Sequence, residues 1–576
     1  LTPSCMKDNE YGPNSANRLI VEGEASGSVL VCPEGLSFWG GVDPKTGIIV
    51  DAHHPNHGDC IAGKCLLMPT SRGSCSGSGV LLQLALDELA PSIIIFSESE
   101  QVLTLGSIVC DRIFSVQIPI IRLTKHCYEA AANSTWIELR DHQLQIGNKQ
   151  IALEPILLNQ LKLSDTDRTY LNGDHGQAAK AAMETICIMG AVENASELVN
   201  VDRGHIDGCI LAHDANLIFA EKMVQLEARV TIPTTINAIS VDRENWQTSG
   251  LPPDFGERAS SLADAYITMG VKPTFTCAPY LLSDKPKFGE KIGWSESNAV
   301  IFANTVLGAR TQKHPDYLDL FIAMTGRAPS VGVYSASGRA AKVKIEIDIP
   351  EDWPPDDEII WPLIGWLAGK LAPDKIPLLG GLESLTPTTD DLKALCAAFG
   401  TTSGEPMLHI LGHTPEASAQ PQQNLTTEKI NLDNLREAWF ELNRGLEQID
   451  LVAIGSPHAS IDEIRKVVNL LNGRKCHPRT QLKITTARFT KQQADSEGIT
   501  ENLKHAGIEL MVDLCWCSII EPIFPTNAMG LMTNSGKYAH YAHGLINRHS
   551  RLGSLKDCVN AAISGHAALQ PPSWLT

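Results

Sequence analysis

The chain has 576 residues, more than one hydrophobic core usually carries, and at ~100–200 residues per domain it should hold roughly three to five. Apolar residues make up 43 % and charged residues 20 %, which excludes disorder, collagen and coiled coil as the main theme. Sixty-six Asp plus Glu against 47 Lys plus Arg leave a formal charge of −19, a surface that repels nucleic acid and anionic membranes.

Residues 20–130 read as short strands and turns: GSVLVC, TGIIVDA, APSIIIF and FSVQIPIIRL. One helix interrupts them over 78–89, where leucines recur at helical spacing. A polar hairpin, DHQLQIGNKQIALEP, follows as a connection. From about residue 161 the texture changes. Long amphipathic helices (GQAAKAAMETICIMGAV, ERASSLADAYITMG) alternate with short apolar strands (HIDGCILA, TFTCAPY, DLVAIG, KITTA, IELMVD). That alternation predicts an α/β fold with mostly parallel sheets. Residues 350–377, rich in Pro and Trp, and 415–428, polar with three Gln, read as insertions or surface loops. The predicted division is 1–137, a small β-rich domain; 138–158, a connecting segment; and 159–576, a large multi-lobed α/β region.

No apolar run reaches the ~18 residues a membrane span needs. The first twenty residues lack the basic start and apolar stretch of a signal peptide. The three N-x-S/T triplets at Asn133, Asn194 and Asn424 are then chance, and the fifteen cysteines are expected as reduced thiols in a cytoplasmic protein.

In open α/β sheets, ligands sit beyond the carboxyl ends of the strands, so those ends are where chemistry is sought. After TFT stands Cys277, with Pro279 stopping the strand. After DLVAIG come Ser456-Pro457-His458, and Ser460 with Glu463 forms a capping box for the next helix. After IELMVDL come Cys515-Trp516-Cys517, two thiols that can share a face and clasp metal. They lack the paired C-x2-C spacing of a zinc ribbon. The loop Thr533–Lys537 can present N–H groups, Ser535 and Lys537 to a carboxylate, but it lacks phosphate-loop spacing. Each of these, taken alone, is equally read as a buried thiol, a turn or a cap. In the first domain, residues 71–79 hold four Ser, three Gly and Arg72. That is more than a helix cap needs, and it suits an anion cradle with a nucleophile or base.

These segments together resemble the aconitase X family, the divergent branch of the aconitase superfamily, over nearly the whole chain. The stretch GGVDPKTGIIVDAHHPNHGDCIAGKCLLMPTSRGSCSGSG resembles its small swivelling component. The motifs ERASSLADAYITMGVKPTFTCAPY, WSESNAVIFANTVLGAR, TGRAPSVGVY, IDLVAIGSPHAS and LMTNSGKYAHY resemble its large component. The resemblance implies a swivelling domain fused to a large aconitase-like α/β domain, with no obligatory partner chain. Archaeal members are two separate chains and dehydrate mevalonate 5-phosphate. Fused members act as cis-3-hydroxy-L-proline dehydratases, so a small-molecule substrate is implied, with neither nucleic acid nor membrane as partner.

The resemblance also implies an iron–sulfur cluster. Of the three cysteines that hold it in two-chain members, the first matches Cys277 and the third Cys515. The second, in a Gly-Cys-Pro-His motif, is replaced here by Ser456, while Cys517 stands where those members have an aliphatic residue. Cys277, Cys515 and Cys517 are therefore the implied metal ligands, of a [2Fe–2S] cluster as expected for the fused class. Aconitase-like enzymes use a serine alkoxide from the swivelling domain. Ser74 of Arg72-Gly73-Ser74 matches it, with Ser71 the alternative and Arg72 stabilising the anion. Gly208, Cys209, Ser456, His458, Ser535 and Lys537 are the expected substrate contacts. A phosphorylated substrate would want extra cations, for which only Arg72, Lys537, Arg327 and Arg488 offer themselves. The rival from another class is a non-catalytic iron–sulfur or zinc protein sensing redox state through Cys515 and Cys517.

Overall fold

The computed structural model describes residues 16–576 except 73–74 and 422–423. The described residues form two compact units. The first runs through Val199 and adds His213–Ala228 and Pro315–Val331; the second comprises Asn200–Ala212, Arg229–His314 and Gly332–Thr576.

The first unit is built on one mixed nine-stranded sheet. Its centre is parallel: Ala25–Val31, Cys65–Met68, Ile93–Phe96 and Ile120–Arg122 lie side by side. The two middle strands of these four are buried at every residue, as a parallel sheet covered on both faces requires. The segment TGIIVDA forms isolated bridges (Val42 with Ile49, Ile48 with Cys60) and no strand of the sheet. The expected helix spans Gly77–Leu86. A second, Val102–Phe114, was not foreseen from the sequence. It is buried on most of its surface, so its sequence shows no polar stripe to reveal a 3.6-residue period. Gly106 lets the two helices approach: a Cβ there would lie 3.0 Å from the Ser78 carbonyl oxygen.

The hairpin expected as a connection, within 138–158, is instead part of this sheet. Trp136–Arg140, Gln143–Ile146 and Lys149–Ala152 pair antiparallel as a meander, because Leu144 and Ile146 turn inward onto the same core as Leu139. Beyond it, Gln177–Val192 and Asp214–Gln225 pack within the same unit. Arg112 pairs with Glu184 at 3.7 Å, and the Ala215 N–H donates to Gln83 Oε1 at 2.8 Å. The compact unit therefore extends past the boundary read from the sequence.

The second unit holds three all-parallel sheets. The first has the order Thr234–Ile236, Arg203–Ile206, Ile292–Trp294. The second has the order His409–Ile410, Pro377–Gly380, Val343–Ile347, Thr426–Ile430. The third has the order Ile508–Val512, Gln481–Thr486, Leu451–Ala459, Leu531–Thr533, Ser550–Leu552. Numbered along the chain, that last order is 3-2-1-4-5, with its switch between Leu451–Ala459 and Leu531–Thr533. Residues 350–377 are not a loop throughout. They contain the helix Ile360–Leu371, whose Trp361, Leu363, Ile364 and Trp366 are core residues. Pro362 sits in its first turn, where an N–H has no intrahelical partner to lose. The expected strand TFTCAPY is irregular chain without a ladder, with Phe275 at φ 39°, ending in a 3-10 turn at Pro279–Leu281.

Candidate active site

Within the second unit, the carboxyl ends of the first and third parallel sheets come together. Ile239, just past one strand, bridges Leu514, just past another, and the Ile239 N–H donates to the Asp513 carbonyl at 2.7 Å. Here Cys277 and Cys515 are buried with Ala238 in one small cluster, and the partly buried Cys517 packs against it. The three thiols that the family resemblance implied as ligands are thus neighbours, although 238 residues of chain separate Cys277 from Cys515.

Their chemistry fits a soft cation. Cys277 beside Cys515, and Cys515 beside Cys517, push the Cys515 and Cys517 thiols up from their ordinary value, and burial adds to both. Three thiolates cannot coexist in so dry a place without positive charge, and thiolate sulfur favours iron–sulfur clusters or zinc. One charge is already supplied. Lys537 is largely buried and pairs with Glu296 at 2.7 Å. Burial alone would lower its ammonium; Glu296 and the thiols of Cys517, Cys515 and Cys277 outweigh burial and hold it protonated. Burial alone would raise the Glu296 carboxyl, but Lys537 and the Asn298 amide hold it well below the usual carboxylate range.

Glu296 was quoted within a motif but given no role at the sequence level. It follows the three-residue strand Ile292–Trp294, too short to show periodicity; the strand-end rule would have found it. Asn298 links it to the sulfur set. The Asn298 amide donates to Glu296 Oε1 at 2.5 Å and to the Cys277 carbonyl at 3.0 Å, and its oxygen accepts from Tyr280 at 2.9 Å. Asn237, at the end of the neighbouring strand, donates to Asp207 and, at 3.4 Å, to Glu296 Oε2.

The other expected contacts are placed as follows. Gly208 accepts from the Tyr266 hydroxyl at 3.2 Å. Cys209 is buried, its Sγ 3.5 and 3.4 Å from the carbonyls of Asn237 and Ala238. Ser456 Oγ lies 4.0 Å from Cys517 Sγ. Ser535 caps the helix Gly536–Ile546, accepting from the Tyr538 N–H at 3.0 Å, and its hydroxyl donates to the Ser456 carbonyl. Ser535 therefore ties the two strands flanking the switch. His458 is fully buried at the end of its strand, and Ser460 with Glu463 makes the foreseen capping box.

In the first unit, Ser74 lies outside the described residues. Ser71 donates to Glu100 Oε1 at 2.5 Å. That carboxylate also accepts the N–H groups of Leu103 and Thr104 at 2.8 Å each, at the start of the Val102–Phe114 helix. Ser78 is buried, donating to the Val102 carbonyl at 2.8 Å. Part of the Ser/Gly richness of this loop thus serves helix packing. At Gly79 a Cβ would come within 3.0 Å of His213 and Tyr317.

Every cation named as a possible phosphate ligand has a carboxylate partner. Arg72 lies 3.5 Å from Glu34 and Lys537 2.7 Å from Glu296. Arg327 binds Asp167 at 2.7 Å, and Arg488 binds Asp513 and, at 2.8 Å, Glu244.

Comparison with known proteins identifies the family. Residues 14–146 match the aconitase X swivel domain, 160–337 the aconitase X first domain, 341–440 the second and 449–564 the third. The chain is 43 % identical over 575 residues to cis-3-hydroxy-L-proline dehydratase of Pseudomonas aeruginosa, covering 97 % of this chain and 98 % of that protein. It is 41 % identical to the enzyme of the same name from Hypocrea jecorina, covering 96 % of each. Over 91 residues it is 48 % identical to the phosphomevalonate dehydratase small subunit of Methanothermobacter thermautotrophicus, 16 % of this chain and 70 % of that subunit. Among solved structures it is similar to holo-form aconitase X of Thermococcus kodakaraensis, at 28 % identity and a TM-score of 0.63, covering 70 % of this chain and all of that one.

Proposed function

The chain belongs to the aconitase X family of carbon–oxygen lyases, and from that premise we propose that it dehydrates cis-3-hydroxy-L-proline to Δ1-pyrroline-2-carboxylate. The observation that carries this reading is the gathering of Cys277, Cys515 and Cys517 at the strand ends. The neutralised cations support the choice of substrate. A phosphate would need uncompensated positive charge, whereas a zwitterion needs one group of each sign.

Cys277, Cys515 and Cys517 would hold an iron–sulfur cluster, which we assign as [2Fe–2S]. Three thiolates are one fewer than a ferredoxin-type site uses. When bound, the cluster supplies a Lewis acid that polarises the leaving hydroxyl. In the cis substrate the hydroxyl and carboxylate share a ring face, so the C2 proton lies on the other. Anti elimination then calls for a base on that face, and we assign Ser74. The Coulomb argument supports placing Ser74 ahead of Ser71. An alkoxide at Ser71 would face the Glu100 carboxylate that now accepts its proton. Arg72 and the N–H groups that open the Gly77–Leu86 helix would favour the Ser74 anion.

Negative charge moves onto the substrate carboxylate as the C2 proton leaves, and a donor aimed there stabilises the transition state more than the ground state. We assign that role to Lys537 and the loop before it, and the ring nitrogen to the segment of Asp207, Gly208 and Cys209. Loss of the C2 proton and the C3 hydroxide leaves an enamine, which tautomerises to the cyclic imine without further help. With swivelling and large components in one chain, catalysis needs no second subunit. No disulfide joins the described cysteines. No helix among the described residues is long and apolar enough to cross a membrane.

The test is product analysis with cis- and trans-3-hydroxy-L-proline and mevalonate 5-phosphate, each mixed anaerobically with the enzyme. The cis epimer should yield Δ1-pyrroline-2-carboxylate and the trans epimer should react far more slowly. Faster turnover of mevalonate 5-phosphate than of the cis epimer would overturn the substrate assignment.

A further inference from the structure

His458 was expected to touch substrate, but its surroundings connect it to the sulfur set. The residue is fully buried. Its ring Nε2 lies 2.6 Å from the Leu514 carbonyl and its Nδ1 lies 3.2 Å from the Thr276 hydroxyl. A carbonyl can only accept, so Nε2 carries the hydrogen and Nδ1 accepts from Thr276.

Thr276 and Leu514 are the residues immediately before Cys277 and Cys515. These two cysteines stand on separate elements, one on an irregular segment whose Thr276 N–H donates to the Ile236 carbonyl at 3.1 Å, the other just past the strand Ile508–Val512. The His458 ring spans them. Its backbone N–H also donates to Cys277 Sγ at 3.2 Å, and its carbonyl accepts from Lys393 Nζ at 3.3 Å. Lys393 is buried and paired with Asp390, at 2.9 Å, and with Glu463. These three residues belong to the helices Thr389–Thr402 and Ile461–Leu471. The main chain of His458 is thus itself held by Lys393, a member of this ion triad.

We propose that His458 is a positioning residue for the cysteine ligands, a bridge between Thr276 and Leu514 that sets the spacing of Cys277 from Cys515. The inference rests on the cluster reading above and adds a cause for its geometry. Without the ring, the Thr276 hydroxyl and the Leu514 carbonyl lose their link in an apolar setting, and the two sulfur-bearing segments can drift apart. Outer contacts of this kind typically change metal affinity by ~10–100-fold.

The experiment uses the full chain stripped of metal and titrated with Co2+, reading the thiolate-to-cobalt charge-transfer band. Iron and acid-labile sulfide are measured in parallel on anaerobically purified protein, and thermal melting of the metal-free chain controls for folding. His458→Ala should weaken Co2+ binding by ~10–100-fold and lower iron and sulfide content. Thr276→Val should act in the same direction but less. His458→Gln, whose amide can donate at similar reach, should recover part of the loss. Co2+ affinity of His458→Ala within twofold of the unaltered chain would overturn the proposal. Should that variant fail to fold, the same result for Thr276→Val would do so. An unaltered chain with no charge-transfer band, iron or sulfide would instead overturn the cluster reading itself, taking this inference with it.

Discussion

Two parallel sheets of the second unit are wound alike and used differently. Numbered along the chain, the four-stranded sheet runs 3-2-1-4 and the five-stranded sheet 3-2-1-4-5, so each has a crevice where its strand order switches. At the five-stranded sheet the switch brings Ser456, His458, Ser535 and Lys537 to the rim, next to Cys515 and Cys517. At the four-stranded sheet the strand ends go to local structure. The Asp348 N–H donates to the Ile430 carbonyl at 2.9 Å, the Gly381 N–H to Glu383 at 2.8 Å, and Asn431 caps the helix Leu432–Leu442. Its core is aromatic, with Trp353, Trp361, Trp366 and Trp439 buried together. Topology offers a crevice in both places, and side-chain chemistry decides which becomes a site.

That contrast can be broken by substitution. The largest effect is expected from Cys515→Ala, which should bleach the protein, remove iron and labile sulfide and leave no detectable turnover. A coloured, iron-replete variant would refute the ligand assignment. Ser74→Ala should keep the iron and lower kcat by ~10²–10⁴-fold, the usual worth of a general base. Survival of turnover in this variant and also in Ser71→Ala would remove the serine base.

At the other sheet, Trp361→Ala should cost ~3–5 kcal/mol of stability by opening a cavity, read by urea unfolding, while iron content and kcat per folded molecule stay level. The smallest effect is expected at His409, whose buried Nε2–H donates to the Arg339 carbonyl at 2.7 Å. His409→Gln should cost ~1–3 kcal/mol and leave the iron untouched. Burial holds the His409 imidazole below its ordinary value, though the Arg339 carbonyl and Glu416 oppose that. The unfolded chain then binds more protons than the folded one as pH falls through ~6.5. The contribution of His409 is accordingly complete above that pH and is lost below it, by at most ~1.4 kcal/mol per pH unit. His409→Gln should show a shallower decline than the unaltered chain in acid unfolding.

Some of this was legible along the chain. The box of Ser460 and Glu463 is a local pattern and folds as read. The helix Gln177–Val192 follows from its own amphipathic sequence. The helix Val102–Phe114 and the helix within 350–377 were missed for the same reason: both are packed on most sides, so neither displays the polar face by which a helix is recognised. Glu296, Asn298 and Thr276 were given no role because their importance lies in what they face, and their short flanking segments carry no period.

The sequence by itself determined the charge, the strand–helix alternation and the motifs of the family, because these are properties of residue order and local spacing; the three cysteines were singled out by the resemblance those motifs carry. Only the tertiary structure decided that Lys537 answers to Glu296, that Ser71 gives its proton to Glu100, and that one imidazole joins the residues ahead of Cys277 and Cys515. Such partnerships link groups tens to hundreds of residues apart. They form when sheets and helices pack and exclude water, where an unpaired polar group or charge is costly.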